Sequence, residues 1–408
     1  MHSIESDTKN QIIYVSPSIV PSRTANSIHV IRMCEALSSF HKGSVLLTAY
    51  RSIKNKKGLR SHLESFYGAS FPNLNLKTIN LPFQKGLNII LGLFGFWQVL
   101  KSSLKGRLQL VVSRNFYASY LVARFVKVPL VYETHNPESG RKKKWQNFLV
   151  THPNVQTVVI TDALKTILAE HLSLEQDFLK NVHVFADAAP AGIEPFTQIQ
   201  KQKFRAQHLA AFLKNEKQFC VGYFGHLYPG RGIEVIVEMA RQNSDQSFFV
   251  FGGNEIEINA LKAQALPSNL QIVGHVPPLE VIDYMKSMDV LLMPYQKSVS
   301  IGAKNSDTSK WMSPMKMFEY MASGVPIISS DLPVLREVLG HQKNCLLATC
   351  DDAKEWSSCL NTLIQDPEFA KRLAFEARQD YLQKYTWLER ARSMVNLPNQ
   401  QSQKRQAA

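Results

Sequence analysis

A glycine-rich turn in the second half of the chain has the residue types of a phosphate-binding site. The segment GYFGHLYPGRG, Gly222 to Gly232, follows an apolar strand-like run and precedes a helical pattern. Glycine lets the backbone approach a ligand closely, and a helix N-terminus supplies free N–H groups and partial positive charge. Arg231 adds a formal charge and a forked donor. The spacing fits neither GxGxxG nor the P-loop pattern, so it does not support dinucleotide or ATP binding of those types.

A second segment, Ser313 to Leu339, places a cation and a carboxylate on one otherwise apolar helix. Ser313 and Pro314 suit a helix start, and Lys316 falls in the first turn, where a cation opposes the helix dipole unless an anion is present. Glu319, three residues later, lies on a neighbouring face. The pair suits a phosphate and a pair of sugar hydroxyls, but an exposed Lys–Glu pair of little energetic value fits the same spacing. The residues alone leave both interpretations open.

Strand-like apolar runs alternate with helical patterns along the chain, which is typical of parallel α/β sheets that position such turns. The first series begins at QIIYVSPS and closes with NVHVFADAA, near Pro190. A linker with a polar helix follows, and a second series begins at FCVGYFG. The chain has 408 residues, and at about 100–200 residues per domain we expect two domains, each with its own core.

The composition indicates an ordinary globular protein, with 45% hydrophobic and 20% charged residues. The first ten residues are polar and charged, so we expect no signal peptide. Because the cysteines are odd in number and form no CxxC pair, we expect reduced thiols rather than disulfides or a zinc site. These cysteines are Cys34, Cys220, Cys345, Cys350 and Cys359.

The net charge of +14 is concentrated in the first half, because residues up to Pro190 contain 23 Lys or Arg and 11 Asp or Glu. The two basic clusters there, Arg51–Arg60 and Arg141–Lys144, suit anionic lipid, phosphate or nucleic acid, or are solvated loops. No zinc finger, RRM or KH signature occurs, so we expect no nucleic acid partner. The apolar stretch Gly86–Leu100 is shorter than the about 20 residues of a membrane span. It fits a buried or interfacial helix, or a face that contacts a membrane.

The second half resembles the donor-binding half of the family-four glycosyltransferases of the GT-B fold. The resemblance depends on FGHLYPGRG, GHVPPLEVIDYMKSMDVLLMPY and SPMKMFEYMASGVPIISSDLPVLREVL, in that order. In the first half, ANSIHVIRMCEALSSFHKGSVLLTAY, VYETHNP and VVITDAL are similar to the family's units, less specifically. The resemblance implies two Rossmann-like domains with mainly parallel sheets facing a central cleft. Residues 1–190, with a helix at about 385–400 packing back on them, would bind the acceptor, and residues 191–384 the nucleotide-sugar donor.

The resemblance also implies roles for single residues. Three of them would be catalytic: Arg231 and Lys316 would stabilise the diphosphate, and His135, in VYETH, would polarise the reacting sugar. Glu319 would contact the ribose and Val276 would lie beside the nucleobase. The residues expected to bind the donor are Gly225, His226, Arg231, Val276, Ser313, Pro314, Lys316 and Glu319.

Two positions depart from the family's pattern. Trp311 stands where the first glutamate of the Glu-x7-Glu motif is expected, which puts recognition of the donor sugar in doubt. His226 stands where an arginine is common, so the diphosphate would lose one permanent charge, for which Lys316 would compensate.

The expected activity is transfer of a sugar from a nucleoside diphosphate sugar, of the UDP or GDP type, with retention of anomeric configuration. The resemblance implies no cofactor. The donor segments contain no pair of carboxylates that would bind a metal ion. The acceptor would be a sugar or a lipid-linked sugar in cell-envelope polysaccharide or glycolipid synthesis, and the protein would be cytoplasmic, peripheral on the inner face of an anionic membrane. The alternatives are a sugar-nucleotide 2-epimerase of the same fold and a non-catalytic sugar-nucleotide-binding protein.

Overall fold

The chain forms two units in a computed structural model that describes residues 10–52, 57–81, 86–215, 218–300 and 307–406. The first unit contains Met1–Ala186 and Trp387–Ala408, and the second contains Asp187–Thr386. The limits predicted from the sequence, 190 and 384, lie a few residues from these divisions. The last helix thus belongs to the first unit.

The first unit contains a parallel sheet in the order β3-β2-β1-β4-β5-β6-β7. Its central strands are apolar and almost wholly buried, as expected for a parallel sheet that is covered on both faces. The strands are β1 Gln11–Val20, β2 Val45–Arg51, β3 Leu74–Ile79, β4 Leu108–Ser113, β5 Leu130–Glu133, β6 Val155–Val159 and β7 Val182–Val184.

Helices connect these strands, and the sequence caps several of them. The side chain of Thr161, for example, caps the helix that follows it by accepting a hydrogen bond from the N–H of Leu164 at 3.1 Å. The helices of this unit are α1 Ala25–Phe40, α2 Leu59–Tyr67, α3 Leu87–Leu104, α4 Phe116–Phe125, α5 Arg141–Thr151, α6 Asp162–Leu172, α7 Gln176–Leu179 and, from the end of the chain, α15 Trp387–Gln406.

The second unit contains a parallel sheet in the order β10-β9-β8-β11-β12-β13. Its strands are β8 Cys220–Phe224, β9 Ser247–Phe251, β10 Leu270–Gly274, β11 Val290–Met293, β12 Ile327–Ser330 and β13 Leu346–Ala348. Its helices are α8 Gln198–His208, α9 Ile233–Gln242, α10 Glu255–Lys262, α11 Val281–Lys286, α12 Met315–Ser323, α13 Ala353–Gln365 and α14 Pro367–Lys384.

Both units therefore have the Rossmann-like α/β architecture that was predicted. In each sheet the chain starts at an inner strand, builds outward on one side, and then continues on the other side. The strand order reverses between β1 and β4 in the first unit and between β8 and β11 in the second. Ligands of such sheets bind at the carboxyl ends of the strands beside this reversal.

Two predictions about basic and apolar segments are resolved by the structure. The cluster Arg141–Lys144 begins helix α5 and is not a loop, whereas the cluster Arg51–Arg60 lies partly outside the described residues. The apolar stretch Gly86–Leu100 belongs to α3, whose length and composition would allow it to cross a membrane. Only 28% of the residues of α3 are buried. Leu91 and Val99 pack into the core of the first unit, whereas other large apolar side chains of the helix are exposed.

Candidate functional site

The glycine-rich turn lies at the carboxyl end of β8, beside the strand reversal of the second sheet. Gly225 follows the strand with φ of 151°, a conformation that favours glycine, and its N–H donates to Phe251 O at 2.9 Å. The phenol of Tyr223 donates to the carbonyl of His226 at 2.7 Å. The backbone of the turn is therefore held from both sides.

Gly232 fixes the end of the turn where helix α9 begins. Its φ is 73°, and a Cβ atom built on it would lie 1.8 Å from the carbonyl oxygen of Pro294. Pro294 directly follows β11, so the helix start is pressed against the strand next to β8. Arg231, the residue before this glycine, lies beside Tyr295, two residues after the end of β11.

Arg231 is half-buried and makes few contacts with its own unit. Its Nη2 atom donates to Ser300 O at 3.1 Å, and its guanidinium carbon lies 5.0 Å from the centre of the Tyr295 ring. Within the described part of the chain, its buried Nε atom has no hydrogen-bond partner. A guanidinium with donors to spare suits an anionic ligand.

Lys316 reaches the same place from the first turn of helix α12. Its Nζ atom lies 4.6 Å from the centre of the Tyr295 ring and 4.2 Å from that of Tyr223. Burial and the charge of Arg231 hold the pKa of Lys316 well below its usual value, although Glu319 acts in the opposite direction. Two cations therefore share one aromatic ring, and an anion bound there would relieve their repulsion.

His226 does not add a permanent charge to this pair. Its side chain is exposed, and its ring stacks on Tyr228, with centroids 4.7 Å apart and planes 5° from parallel. Partial loss of hydration and the charge of Arg231 lower its pKa, Glu257 acts in the opposite direction, and Lys316 lowers the pKa more weakly. The ring is therefore neutral at neutral pH. The expectation that a charge is lost here agrees with this environment.

The other residues predicted to bind the donor have mainly structural contacts. The buried Ser313 hydroxyl accepts from the N–H of Asp187 at 2.9 Å, so this side chain is already engaged. Pro314 is the N-cap of α12, and its carbonyl accepts from the N–H of Met317 at 2.9 Å. Val276 is buried just beyond β10. Glu319 lies on α12, one turn beyond Lys316, and is half-buried.

A residue that the sequence analysis missed closes the loop after β11. The carboxylate of Asp307 accepts from the N–H groups of Val299 at 3.0 Å and Ser309 at 2.9 Å, and these bonds lower its pKa. The ends of this loop are thereby joined, while residues 301–306 lie outside the described residues. The Asp-Thr-Ser sequence is a turn signal that would have identified it.

His135 lies in the first unit, two residues after β5, in a charged cluster that the sequence did not reveal. Its Nε2 atom lies 2.8 Å from Oε1 of Glu133 and 3.0 Å from Nη2 of Arg114. Nε2 of His29 lies 3.1 Å from the same carboxylate oxygen. Nη2 of Arg390, on helix α15, lies 3.1 Å from it as well.

Glu133 stands at the centre of this cluster with a side chain that is wholly buried. Burial would raise the pKa of its carboxyl, but Arg390, His29 and Arg114 together hold that pKa well below its usual value. The carboxylate is therefore ionised and accepts hydrogen bonds only.

The same cluster contains side chains of the types that bind metal ions, but its positive charges are unsuited to a cation. One ligand atom from each of His29, Glu133 and His135 lies within 4.8 Å of the others. However, Arg114 and Arg390 approach the carboxylate at 3.6 and 3.1 Å. A metal ion would lie against two guanidinium groups, so the donor set does not fit one. The expectation that no metal is needed stays a prediction.

Residues 204–380, which form most of the second unit, match the model of the family described as glycosyl transferases group 1. One relative is TuaH of Bacillus subtilis, which is 28% identical over 125 residues. Its name assigns it provisionally as a glycosyltransferase of teichuronic acid biosynthesis. That match covers 30% of this chain and 29% of TuaH. The O-antigen chain mannosyltransferase RfbU of Salmonella typhimurium is 22% identical over 290 residues, 71% of this chain and 74% of RfbU.

The fold is similar to that of a solved glycosyltransferase from Rickettsia africae, with a TM-score of 0.71 and 13% identity over 96% of this chain and 98% of that chain. The crystal structure of HepE from Anabaena in complex with UDP has a TM-score of 0.67 and 14% identity, and the match covers 98% of this chain and 100% of HepE. The GT-B fold class predicted from the sequence is confirmed. Together these similarities support a glycosyltransferase.

The structure thus brings together part of the predicted site. Gly225, His226, Arg231 and Lys316 meet around the rings of Tyr223 and Tyr295, at the reversal of the second sheet. The roles of all predicted site residues stay predictions.

Proposed function

We propose that the protein is a retaining glycosyltransferase that moves a sugar from a UDP- or GDP-type donor to a hydroxyl group of a sugar or lipid-linked acceptor. The names of TuaH and RfbU support a role in cell-envelope polysaccharide or glycolipid synthesis. HepE was crystallised with UDP and with UDP-glucose, which supports a nucleotide-sugar donor.

The observation that carries this proposal is the pairing of Arg231 and Lys316 on the Tyr295 ring. Their like charges lie together at the reversal of the second sheet, partly withdrawn from water. A diphosphate has the charge and the oxygen atoms that would bind both cations at once. The binding of a nucleoside diphosphate is therefore the simplest reason for keeping an arrangement that destabilises the free protein.

The chemistry follows from the charge that grows on the diphosphate as the glycosidic bond breaks. Arg231, Lys316 and the free N–H groups at the start of α12, after Ser313 and Pro314, would stabilise this charge as an oxyanion hole does. The acceptor hydroxyl would attack from the face of the leaving group and pass its proton to the departing phosphate, which retains the configuration. This route needs neither a protein base nor a cofactor.

The remaining assignments concern recognition and orientation. Gly225 would let the diphosphate approach the backbone, Glu319 would contact the ribose hydroxyls and Val276 would contact the nucleobase. His135 would polarise the reacting sugar. A neutral His226 leaves Arg231 as the permanent charge of the turn, which agrees with its proposed role.

Donor screening with product analysis tests this proposal. The purified protein is incubated with UDP- and GDP-sugars and an acceptor glycan, and the anomeric configuration of the product is read from its proton NMR couplings. We expect a product with the anomeric configuration of the donor. An inverted product would overturn retention, a sugar nucleotide epimerised at C2 would indicate the isomerase, and nucleotide binding without turnover would indicate the non-catalytic alternative.

We also propose that the first unit binds an anionic membrane surface through one face of helix α3. Its exposed large apolar side chains fall within about 80° of one another around the helix. Trp97, near their centre, is 60% exposed, and tryptophan favours the boundary between lipid and water. These side chains are Ile89, Leu93, Trp97 and Leu104.

The positive charge of the segments near α3 indicates that the membrane surface bound by this helix is anionic. Between Gly86 and Thr151 the chain has ten Lys or Arg and two acidic residues. Arg114 and Glu133 are buried together, and Glu138 pairs with Lys142 at 3.5 Å, so most of the exposed charges there are positive. Exposed Lys101 and Lys105 follow the apolar face along α3. Each basic residue at an anionic membrane contributes about 1 kcal/mol. The proposed surface is centred on α3, whereas the sequence indicated Arg51–Arg60 and Arg141–Lys144 as contacts near the apolar segment Gly86–Leu100.

Liposome co-sedimentation tests the membrane proposal. The variant Leu93→Gln/Trp97→Gln should lose binding to vesicles that contain phosphatidylglycerol, and high salt should weaken binding by the wild type. Phe375→Gln, which replaces a similarly exposed apolar residue of the second unit, serves as the control and should bind normally. Equal binding by the Leu93→Gln/Trp97→Gln variant, or binding by the wild type that ignores both lipid charge and salt, would contradict the proposal.

A further inference from the structure

The imidazole of His135 is held at one edge by a buried carboxylate. Its Nε2 atom lies 2.8 Å from Oε1 of Glu133, whose side chain has no exposed surface, whereas the His135 side chain is 25% exposed. One nitrogen of the ring is therefore fixed inside the unit, and part of the ring reaches the surface.

The chemistry of the neighbours selects one form of this ring. Because ionised Glu133 only accepts hydrogen bonds, Nε2 must carry a proton to bond it at 2.8 Å. Arg114 only donates, and its Nη2 atom lies 3.0 Å from Nε2 and 3.4 Å from Nδ1. If Nε2 were an acceptor for Arg114, its lone pair would face the carboxylate and the closest contact of the ring would become repulsive.

We propose that Glu133 is a positioning residue that holds His135 as the Nε2–H tautomer and leaves Nδ1 as the hydrogen-bond acceptor. The inference deepens the proposed function and rests on it for the use of Nδ1. This nitrogen faces Nη2 of Arg114 at 3.4 Å in the free protein, and a hydroxyl group of the reacting sugar would replace Arg114 as its donor. A histidine in the other tautomer would present an N–H to that hydroxyl.

Arg390 gives this arrangement a second support from the last helix of the chain. Its Nη2 atom lies 3.1 Å from Oε1 of Glu133, and its guanidinium donates to the carbonyls of Ala186 at 2.9 Å and Phe185 at 3.3 Å. These carbonyls belong to the last residues before the chain leaves the first unit. Helix α15 thus keeps the carboxylate ionised and fixes its position.

The tautomer is measured directly by long-range proton–nitrogen NMR of protein labelled with ¹⁵N-histidine, without donor or acceptor. The spectrum of His135→Gln identifies the signal of His135. We expect the Nε2–H pattern in the wild type and its loss in Glu133→Gln, since an amide both donates and accepts. In the transfer assay, kcat of Glu133→Gln should fall about tenfold or more, because the wrong histidine tautomer is costly in the serine protease triad. The KM for the donor should change little.

Two further variants separate positioning from folding. Glu133→Gln/Arg390→Met keeps the net charge of the cluster and should also lose the Nε2–H pattern. Asp289→Asn removes the partner of Arg205, at 2.7 Å, from the amino end of β11 in the second unit, and should lower stability without changing the His135 signal. If Glu133→Gln does not fold, the NMR spectra of the wild type and of Glu133→Gln/Arg390→Met test the positioning role instead.

The outcomes distinguish this inference from the proposed function. An Nδ1–H pattern in the wild type, or an Nε2–H pattern that persists in folded variants at position 133, overturns the positioning role. If the tautomer changes while kcat stays the same, Glu133 positions His135 as proposed, but the assignment of His135 to the reacting sugar is wrong.

Discussion

Arg231 and Lys316 show how a binding site can oppose the stability of its own fold. Lys316 has lost water and gained a neighbouring cation, and both effects disfavour its charged form. Its stem and ammonium group pack on the rings of Tyr223 and Tyr295, which offsets part of this cost. The free energy gained by neutralising the pair becomes available only when an anion binds.

Replacement of Lys316 by Met should therefore separate stability from binding. Because the pKa of Lys316 is lower in the folded than in the unfolded state, the unfolded chain binds more protons and stability rises with pH between these two values. Lys316→Met should raise Tm at neutral pH, and this advantage should shrink as the pH approaches the pKa of the unfolded state. The variant should bind UDP or GDP about tenfold more weakly.

Thermal unfolding at several pH values and calorimetric titration with nucleotide measure both effects. Lys310→Met, a change at an exposed lysine before α12, is the control and should alter neither quantity. A lower Tm together with unchanged nucleotide affinity in Lys316→Met would contradict the account of this residue.

The sequence predicted the candidate site residues that carry a charge beside a recognisable turn. It did not predict the residues whose role depends on contacts with distant parts of the chain. Arg231 and Lys316 each precede or begin a helix at a recognisable turn. Nothing in the local sequence shows that Tyr295 receives both cations, or that Arg390 meets Glu133 across 257 positions. Glu133 is buried by contacts that only the tertiary structure supplies.

The starts of helices α9 and α12 are the elements that position the candidate site. Gly232 adopts a positive φ and leaves no room for a side chain, because a Cβ would lie 1.8 Å from Pro294 O. The start of α12 is tied to the beginning of the second unit through the bond from the Asp187 N–H to the Ser313 hydroxyl. Each helix start is thus placed by backbone contacts rather than by its own propensity.

The glycine at the start of α9 can be tested against a glycine with similar geometry. Gly192 also has a positive φ, 81°, but nothing lies within 4 Å of a Cβ built on it. Gly192→Ala should cost about 1 kcal/mol in the free energy of unfolding, for the backbone conformation alone. Gly232→Ala should cost clearly more and should also weaken nucleotide binding, because Arg231 must move.

Denaturant unfolding and nucleotide titration of both variants check this prediction. Equal losses of stability in the two variants would show that close packing against Pro294 does not matter. Normal nucleotide affinity in Gly232→Ala would show that the turn does not position Arg231.

The elements that sequence patterns predicted best are the buried central strands. β8, β9 and β11 are continuous apolar runs, as parallel strands covered on both faces should be. The edge strands β3 and β13 were not predicted, because β3 is partly exposed and β13 spans three residues. Helix α5 was not predicted as a helix. Its first four residues are cations, and only Gln146, Leu149 and Val150 are buried, so the apolar pattern of the segment is weak.

For the molecule as a whole, the two units differ in charge and in the chemistry that they carry. The first has all of the excess positive charge, the exposed apolar face of α3 and the His135 cluster. The second has the cations at the sheet reversal and the whole of the match to the glycosyl transferases group 1. The alternation of strands and helices predicted both units, whereas the return of α15 to the first unit was expected only from the resemblance.

The function proposed for the whole chain depends on the binding of a nucleoside diphosphate to the second unit through Arg231. Calorimetric titration of the full chain with UDP and GDP tests it most directly, for the wild type, Arg231→Ala and the control Arg241→Ala, which removes an exposed arginine at the other end of α9. We predict that the wild type and the control bind at least one nucleotide equally well. Arg231→Ala should bind about tenfold or more weakly, since a hydrogen bond to a charged group contributes about 1.5–3 kcal/mol. Equal affinity in all three folded proteins, or no binding by the wild type, would contradict the account.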